Sequence, residues 1–543
     1  MVDDGAMATR PLHDHRAGGT GRPAEADRGP GGPGSGRRWS ALVGVAAGAT
    51  TLGVAELLAA VLARLLGSSG TPSPLLAVGA AFVDRTPAWL KDWAVAAFGT
   101  ADKVALGVGM ALVLLVACAA VGVLAVRSRP VALGLFGLLG LVGVASVLSR
   151  PASGPLEAVP TVAGVLVGMW VLGELLDRSA RAGAEETGPS RRALLRATGG
   201  LTVLGLVGVV AGQALGAAGR VAEQAVRALR LPVPVRTASV PDGASSDLAG
   251  HSAYLTPNDE FFRIDTALRV PRVDPETWRL RVTGLVEREV EIGWDELMAE
   301  PHVEALVTLT CVSNQVGGDL VGNARWQGWP VRELLARAGV RPEADMVLSR
   351  SADGWTAGTP IEVLTDDRDA LLAVAMNGEP LPPQHGFPVR MVVPGLYGYV
   401  SATKWVTELK VTRFDADEGY WTPRGWSARG PVKTASRIDT PRDGDRLPAA
   451  EIVLGGVAWA QHRGVQAVEV QVDDGPWSPA ELLAEPTVDA WRLWRWAWAD
   501  PTPGSHTLRV RATNGTGEVQ TSQPAPPAPD GSSGWHTITV RVG

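Results

Sequence analysis

A chain of 543 residues carrying 50 Lys and Arg against 56 Asp and Glu has room for several domains, and its net charge of −6 offers no basic surplus for nucleic acid. Its two cysteines, Cys118 and Cys311, exclude a disulfide framework, and no Cys/His cluster has zinc-site spacing. Apolar residues make up 46% but are unevenly placed: roughly the first 220 residues are rich in Ala, Leu, Val and Gly, and the rest has the Trp, Pro and Arg content of a water-soluble protein.

Residues 1–38 have little to bury, which predicts a disordered cytoplasmic tail; its His13 and His15 are too few for a metal tract. Five apolar runs follow, Ala41–Ala63, Val104–Val126, Val131–Leu148, Thr161–Leu176 and Ala197–Gly219. A bilayer core takes ~20 apolar residues as helix, so residues 39–219 are predicted to be an all-α transmembrane region of about five helices. The second and fifth runs hold no charge, the first carries Glu56, and the short fourth carries Glu174; both carboxylates lie near span ends or a polar face, where a structural role is the commoner one. Between the first two runs, Pro74–Thr100 holds Phe82, Trp89, Trp93 and Phe98 interrupted by Asp84, Arg85, Lys91 and Asp92, which predicts an interfacial helix or packed loop.

Arg37 and Arg38, then Arg127 and Arg129, then Arg178, Arg181, Arg191, Arg192 and Arg196 all fall on one side of five spans. That side is expected to be the cytoplasm, which places everything beyond about residue 220 outside. Ser190-Arg191-Arg192-Ala193-Leu194-Leu195 resembles a twin-arginine export signal placed internally, a route for folded cargo; ordinary cytoplasmic flanking charge accounts for the same residues equally well. None of the eight histidines lies in an apolar run, so no haem is expected in this chain, and the spans read as an anchor or a docking site for another redox protein.

Residues 220–250 form a Pro/Ser/Gly-containing linker. Over 251–432, β-like runs at Trp278–Val286, Ala305–Cys311, Met346–Arg350, Val389–Pro394 and Lys404–Arg413 alternate with helix-like Trp294–Glu300 and Val331–Ala338, an α+β pattern. From 433 to 543 the runs Ile452–Ala460, Val465–Val472, Trp491–Ala499, His506–Thr513 and Trp535–Val542, with turn signals such as Asp473-Asp474-Gly475-Pro476, predict a β-sandwich of Ig-like size. Trp494, Trp496 and Trp498 alternate and so share one strand face.

Cys311 is the only cysteine outside the apolar N-terminal part. An isolated cysteine is usually a small buried hydrophobe. At the end of an apolar strand that opens into a Gly-rich loop, it is also placed to be a soft metal ligand.

Four motifs carry a resemblance. They are Cys311-Val312-Ser313-Asn314 within Thr308–Asn314; Ala324-Arg325-Trp326-Gln327-Gly328; Met376–Arg390, which includes Asn377-Gly378-Glu379-Pro380-Leu381-Pro382 and His385-Gly386-Phe387-Pro388; and Val393-Pro394-Gly395 followed by Ser401-Ala402-Thr403-Lys404-Trp405. The chain from about Asn258 onward resembles the sulfite oxidase family of molybdopterin-dependent oxidoreductases, as a membrane-anchored member with an α+β cofactor domain and a C-terminal Ig-like dimerisation domain. The resemblance implies molybdenum bound by the Cys311 thiolate and a pterin held by Asn258, Phe262, Asn314, Arg325, His385, Arg390, Ser401, Thr403 and Lys404. It also implies that Arg263 lines the substrate pocket beside Cys311. Gly317 and Gly318 would let the backbone approach a bulky cofactor.

The expected activity is two-electron oxygen-atom transfer on a small sulfur-oxo or similar substrate, with electrons exchanged with a separate haem protein or quinol system. The expected assembly is a homodimer through the C-terminal domain, multi-pass in the cell membrane, with the catalytic domain on the extracytoplasmic side. Three departures from the sulfite oxidases stand out. Gln315 and Val316 occupy places where those enzymes carry arginines, Ile264-Asp265 stands for their Asn-His, and Tyr420 is out of register with their active-site tyrosine. Fewer arginines make a poor sulfite site, so reduction of an S-oxide is at least as well supported. The competing reading is a membrane-tethered Ig-like binding or adhesion module without cofactor.

Overall fold

The computed structural model describes residues 33–66, 73–87, 90, 97–98, 102–150, 153–184, 191–216, 229–268 and 270–543. Most of the expected tail, together with Trp89, Lys91, Asp92 and Trp93, lies outside them.

Among the described residues, the N-terminal part has the α-helices α1 (Pro33–Leu66), α2 (Pro74–Arg85), α3 (Asp102–Ala125), α4 (Arg129–Leu148), α5 (Val159–Ala184) and α6 (Arg191–Gly216). All but α2 are long and apolar enough to cross a membrane, with mean hydropathy between 1.8 and 2.7. The run around Glu174, short in sequence, belongs to a 26-residue helix. Helix α1 starts at Pro33, inside the stretch expected to be unstructured. It is the central post of the bundle, and small residues let its neighbours approach. A Cβ on Gly44 would lie 2.0 Å from the Cys118 carbonyl of α3, and one on Gly53 would lie 2.4 Å from the Gly205 carbonyl of α6. Outward-facing Leu112, Val116, Leu141, Leu204 and Val210 form the surface a bilayer would cover.

Buried Glu56 accepts from the Ser73 hydroxyl (2.7 Å), the Leu75 amide (3.3 Å) and Gln213 Nε2 (2.7 Å). Glu174 pairs with Arg178 at 2.7 Å near the end of α5. Both carboxylates of the apolar helices are thus held by protein groups.

The two ends of the bundle are distinguishable. Arg129, at the start of α4, clamps Asp177 of α5 at 2.6 and 3.1 Å. At the opposite end of α4, Arg150 donates to Asp84 at 2.8 Å. Asp84 also accepts from the Tyr420 hydroxyl at 3.0 Å, and Arg424 donates to the Asp84 carbonyl at 3.3 Å. The soluble part therefore sits on the end away from Arg127 and Arg129.

That part begins with an extended stretch in which Val235 donates to His302 and Glu304 donates to Arg236. Two sheets follow. One has the order β2 (Val290–Gly293), β1 (Arg279–Gly284), β10 (Val406–Thr412), β5 (Met346–Ser351), β6 (Thr356–Pro360), with β1 and β10 parallel. The other runs β3 (Val303–Thr310), β4 (Val321–Pro330), β7 (Leu371–Met376), β8 (Glu379–Pro380), with β9 (Arg390–Val392) also on β7. Helices α7 (Trp294–Ala299), α8 (Val331–Ala338) and α9 (Glu362–Thr365) connect them. Strands β4 and β7 are buried on both faces, so neither shows the alternation that betrays a half-buried strand.

The C-terminal part has two sheets around one core. These are β11 (Ala435–Thr440), β13 (Ile452–Trp459), β17 (Arg492–Trp498), β16 (Glu481–Leu482), and β12 (Arg446–Leu447), β19 (His536–Val542), β18 (Gly504–Asn514), β14 (Val465–Val472), β15 (Trp477–Pro479). Leu454, Val468, Val470, Leu508, Val510 and Val540 fill that core, and Trp494, Trp496 and Trp498 all face it.

Candidate functional site

Strands β3 and β4 pair antiparallel with Leu309 opposite Gly322 and Thr310 opposite Val321. Cys311 follows directly. Its amide donates to the Leu320 carbonyl at 2.9 Å, and its carbonyl accepts from the Asn314 amide at 3.0 Å. Its sulfur is buried, and burial pushes the thiol up, opposed by hydrogen bonds from Ser313. A free, buried thiol with no basic partner stays protonated until a metal displaces the proton.

Asn314 closes this loop, because its Oδ1 accepts from the Leu320 amide at 2.9 Å. Gly317, expected to admit a cofactor, sits against the C-terminal part: at φ +77 its Cβ would lie 2.3 Å from the His536 ring. A Cβ on Gly318 would lie 2.6 Å from Asn314 Oδ1. Both glycines therefore serve loop closure and packing.

A second group of side chains gathers at Pro383–Arg390. Gly386, at φ +116, permits the meeting, since its Cβ would lie 2.9 Å from the Arg390 Cβ and 3.2 Å from the Lys404 Cβ. His385 is buried and its Nε2 bonds the Asn258 carbonyl at 2.9 Å. A carbonyl only accepts, so Nε2 carries the hydrogen and Nδ1 is left as an acceptor. Burial, then the nearby Arg390 charge, push His385 down to about 4, with Lys404 and Arg263 adding to it against the Asn258 bond. The ring is neutral at pH 7.

Arg390 is buried with its Nη1 on the His385 carbonyl (3.1 Å) and its guanidinium 4.9 Å over the Trp326 ring. Burial lowers it to about 9, and among the described residues it has no carboxylate partner. Lys404 Nζ donates to Asp265 (2.7 Å) and to the Gln384 carbonyl (3.2 Å) and lies 4.7 Å from the Trp405 ring centroid. Burial lowers it to about 8, against the pull of Asp265. Arg263 donates to the same carboxylate at 2.9 Å.

Phe261 ties the two groups together. It stacks on Phe262 (5.1 Å), meets His385 (5.7 Å) and Trp326 (5.8 Å) edge-on, and packs over Gly322, two positions from Cys311's hairpin end.

Other expected residues stand elsewhere. The Asn258 amide bridges the Met376 carbonyl (3.2 Å) and Asn377 Nδ2 (2.9 Å). Ser401 donates to Tyr397 (2.9 Å), and Thr403 pairs with Ser349 (2.6 Å), both fully buried. Arg325 pairs with Glu304 at 3.8 Å. Tyr420 lies at the bundle, with Arg424 over its ring at 3.7 Å.

Two residues were not singled out in the sequence. Asp265 was noticed only as a departure. Tyr397 lines the cleft beside Thr310 and Asn314, its phenol pushed up to about 12 by burial, opposed by the hydrogen bond from the Lys433 amide and helped by the Asp530 charge. Its place inside the fourth motif, between Gly395 and Ser401, was the available signal.

Residues 267–421 match the family model described as oxidoreductase molybdopterin binding domain. Mitochondrial sulfite oxidase of Rattus norvegicus is 31% identical over 343 residues, 53% of this chain and 62% of that protein. Sulfite oxidase of Gallus gallus is 30% identical over 321 residues, 50% of this chain and 69% of that protein. The uncharacterized oxidoreductase YuiH of Bacillus subtilis is 36% identical over 157 residues, 29% of this chain and 76% of that protein. This chain belongs to the sulfite oxidase family of molybdopterin-dependent oxidoreductases. The solved sulfane dehydrogenase SoxCD of Paracoccus pantotrophus aligns at TM-score 0.46 and 24% identity, over 59% of this chain and 91% of that one.

The match of this chain to a molybdopterin binding domain implies a molybdenum cofactor. Its residues fit such a group on their own geometry. A buried arginine without an acid and a buried lysine sharing one carboxylate suit a phosphate, and a free buried thiol suits a soft metal.

Proposed function

We propose that this protein is a membrane-anchored, extracytoplasmic enzyme for two-electron oxygen-atom transfer on a small sulfur-oxo substrate. One observation carries the proposal: a free buried thiol follows β3, and Phe261, packed over Gly322 of the paired strand β4, meets His385 of a buried basic cluster with too few acids. Bound molybdopterin supplies the oxygen-atom exchange and a two-electron store. Cys311 is the protein ligand to its metal. Arg390 and Lys404 supply the charge that holds its phosphate, while neutral His385 fixes the Asn258 segment over the site. Arg263, more exposed than the others, is the residue best placed to meet substrate.

Anchoring rests on the five apolar helices. The extracytoplasmic side rests on the Arg-rich loops lying at the end of α4 opposite the Asp84 contacts with Tyr420 and Arg424. Arg191 and Arg192 fit a twin-arginine route for cofactor-loaded cargo. The C-terminal pair of sheets fits an Ig-like domain through which a homodimer forms. Electrons pass to or from a separate haem protein or quinol system.

Metal analysis of the purified protein tests the proposal. About one molybdenum per chain is expected, falling at least tenfold in Cys311→Ser with the fold retained; wild-type protein below roughly a tenth of an equivalent refutes it.

A further inference from the structure

The loop that carries Cys311 is held by groups outside it. It makes two successive turns, one closed by the Asn314 amide on the Cys311 carbonyl (3.0 Å) and the next by the Gly318 amide on the Gln315 carbonyl (2.9 Å). The carbonyl that ends each turn is taken up by the C-terminal part. That of Asn314 accepts from the Ser532 hydroxyl at 2.6 Å, and that of Gly318 accepts from Arg437 Nη1 at 2.7 Å. On the other flank of Cys311, buried Gln461 donates its amide to the Thr308 carbonyl (3.0 Å) and to the Thr310 hydroxyl (2.9 Å). Arg437 is itself fixed, because its Nε donates to Asp439 at 2.6 Å and its Nη2 to Ser252 at 3.0 Å. The Arg437 and Asp439 side chains are 13% and 6% exposed, so water competes little for these bonds. Ser532 and Arg437 stand 218 and 119 residues from their partners, and the contacts exist only once the C-terminal part has folded against the loop.

We infer that Ser532, Arg437 and Gln461 are positioning residues for the Cys311 thiolate, and that the C-terminal part thereby sets the direction in which the sulfur meets its metal. The inference rests on Cys311 being the metal ligand, as proposed above. Asn314 is where the hold is transmitted. Its amide bonds the Cys311 carbonyl, and its Oδ1 accepts from the amide of Leu320, whose carbonyl in turn accepts from the Cys311 amide at 2.9 Å. A shift of Asn314 therefore moves both backbone groups of Cys311, and the sulfur follows its backbone. Groups that orient a metal ligand matter to the metal: removing one costs on the order of 10–100-fold in metal affinity or activity. A side chain that only joined the two parts would change stability and leave the geometry of the ligand unchanged.

The test uses the full-length holoenzyme in detergent, with Ser532→Ala, Ser532→Thr, Ser533→Ala and Arg437→Lys. Ser533 is the control, since its hydroxyl donates to the Gln523 carbonyl (2.8 Å) within the C-terminal part. Two readouts are taken. One is the electron paramagnetic resonance signal of protein poised in its one-electron-reduced state, whose g-values follow the orientation of the metal–thiolate bond. The other is the rate of molybdenum release into a chelator. Ser532→Ala should shift the signal and release molybdenum at least about tenfold faster. Ser532→Thr, which keeps the hydroxyl, should restore both, and Ser533→Ala should match wild type. Arg437→Lys, which cannot hold Gly318, Ser252 and Asp439 together, should behave as Ser532→Ala does. A wild-type signal and release rate in Ser532→Ala overturns the inference and leaves the proposed function standing; if that variant does not fold, the same result in Arg437→Lys overturns it. Ser532→Thr that behaves like Ser532→Ala also overturns it, because the hydroxyl is then not the cause. Wild-type protein without molybdenum overturns the proposed function itself, and this inference with it.

Discussion

His385 gives the sharpest test of the basic cluster. Its ordinary value is 6.5, and burial with the Arg390 charge brings it to about 4 in the folded protein. Below 6.5 the unfolded chain takes up a proton that the folded chain refuses. The stability contributed by the neutral ring is therefore complete above pH 6.5 and is lost progressively as pH falls to about 4. The ring is 3% exposed, so solvent screening discounts little. At 1.36 kcal/mol per pKa unit the loss is about 3 kcal/mol. Carboxylates titrate over the same window, so the measured quantity is the difference between wild type and His385→Gln. Urea unfolding of the cofactor-free protein, followed by Trp fluorescence at pH 7, 6, 5 and 4, should show the wild-type advantage shrinking by about 3 kcal/mol across the series. Curves that stay parallel from pH 7 to 4 would refute a buried neutral imidazole beside Arg390, and with it the division of labour that leaves the charge to Arg390 and Lys404.

Gly386→Ala places a Cβ at φ +116 against the Arg390 and Lys404 Cβ atoms, and should cost on the order of 2–4 kcal/mol together with most of the bound molybdenum, read by thermal unfolding and metal analysis. Gly317→Ala drives a methyl into the His536 ring, which is held in place by accepting from the Ile438 amide at 3.0 Å; its cost of about 1–3 kcal/mol should shrink in a His536→Ala background, and an additive double mutant would contradict the contact. Asp84→Ala removes the acceptor shared by Arg150 and Tyr420, so hydrogen exchange in the 420–426 segment of the detergent-solubilised protein should accelerate at least tenfold, and unchanged protection would dissociate that segment from the bundle.

The five helices long and apolar enough to cross a membrane were legible because length and composition alone mark them. The strands of the C-terminal part were legible because alternation marks a half-buried sheet, as along Trp494, Trp496 and Trp498. Strands β4 and β7 were not, since burial on both faces erases the period. At the site, the motifs name residue types whose partners appear only in the fold. Asn258, Ser401 and Thr403, expected to hold the pterin, have polar atoms engaged by Met376 and Asn377, by Tyr397 and by Ser349. A motif records that a residue type is needed at a position; what it bonds there depends on partners 4 to 119 residues away in sequence. Asp265 and Gly317 show the same limit, because their partners, Lys404 and His536, are near only after folding.

The charges of this cluster link cofactor to fold. Lys404 falls from 10.5 to about 8 and Arg390 from 12.5 to about 9, both chiefly through burial. For a base lowered in this way the folded state is at a disadvantage wherever the group is charged: below about pH 8 both folded and unfolded chains carry the Lys404 proton, and only the folded chain holds it out of water. Raising the pH through 8 toward 10.5 removes that disadvantage as the folded lysine deprotonates first. A bound phosphate acts in the opposite sense, stabilising the protonated lysine and arginine and so returning their values toward normal. Cofactor binding and pH thus relieve the same unfavourable burial by different means. Phosphate affinity is then greatest below about pH 8 and weakens above it, and the cofactor-free chain near neutrality is the form that carries the full penalty. Asp265 offsets part of that penalty permanently through its contacts with Lys404 and Arg263, while Arg390 has no carboxylate partner among the described residues.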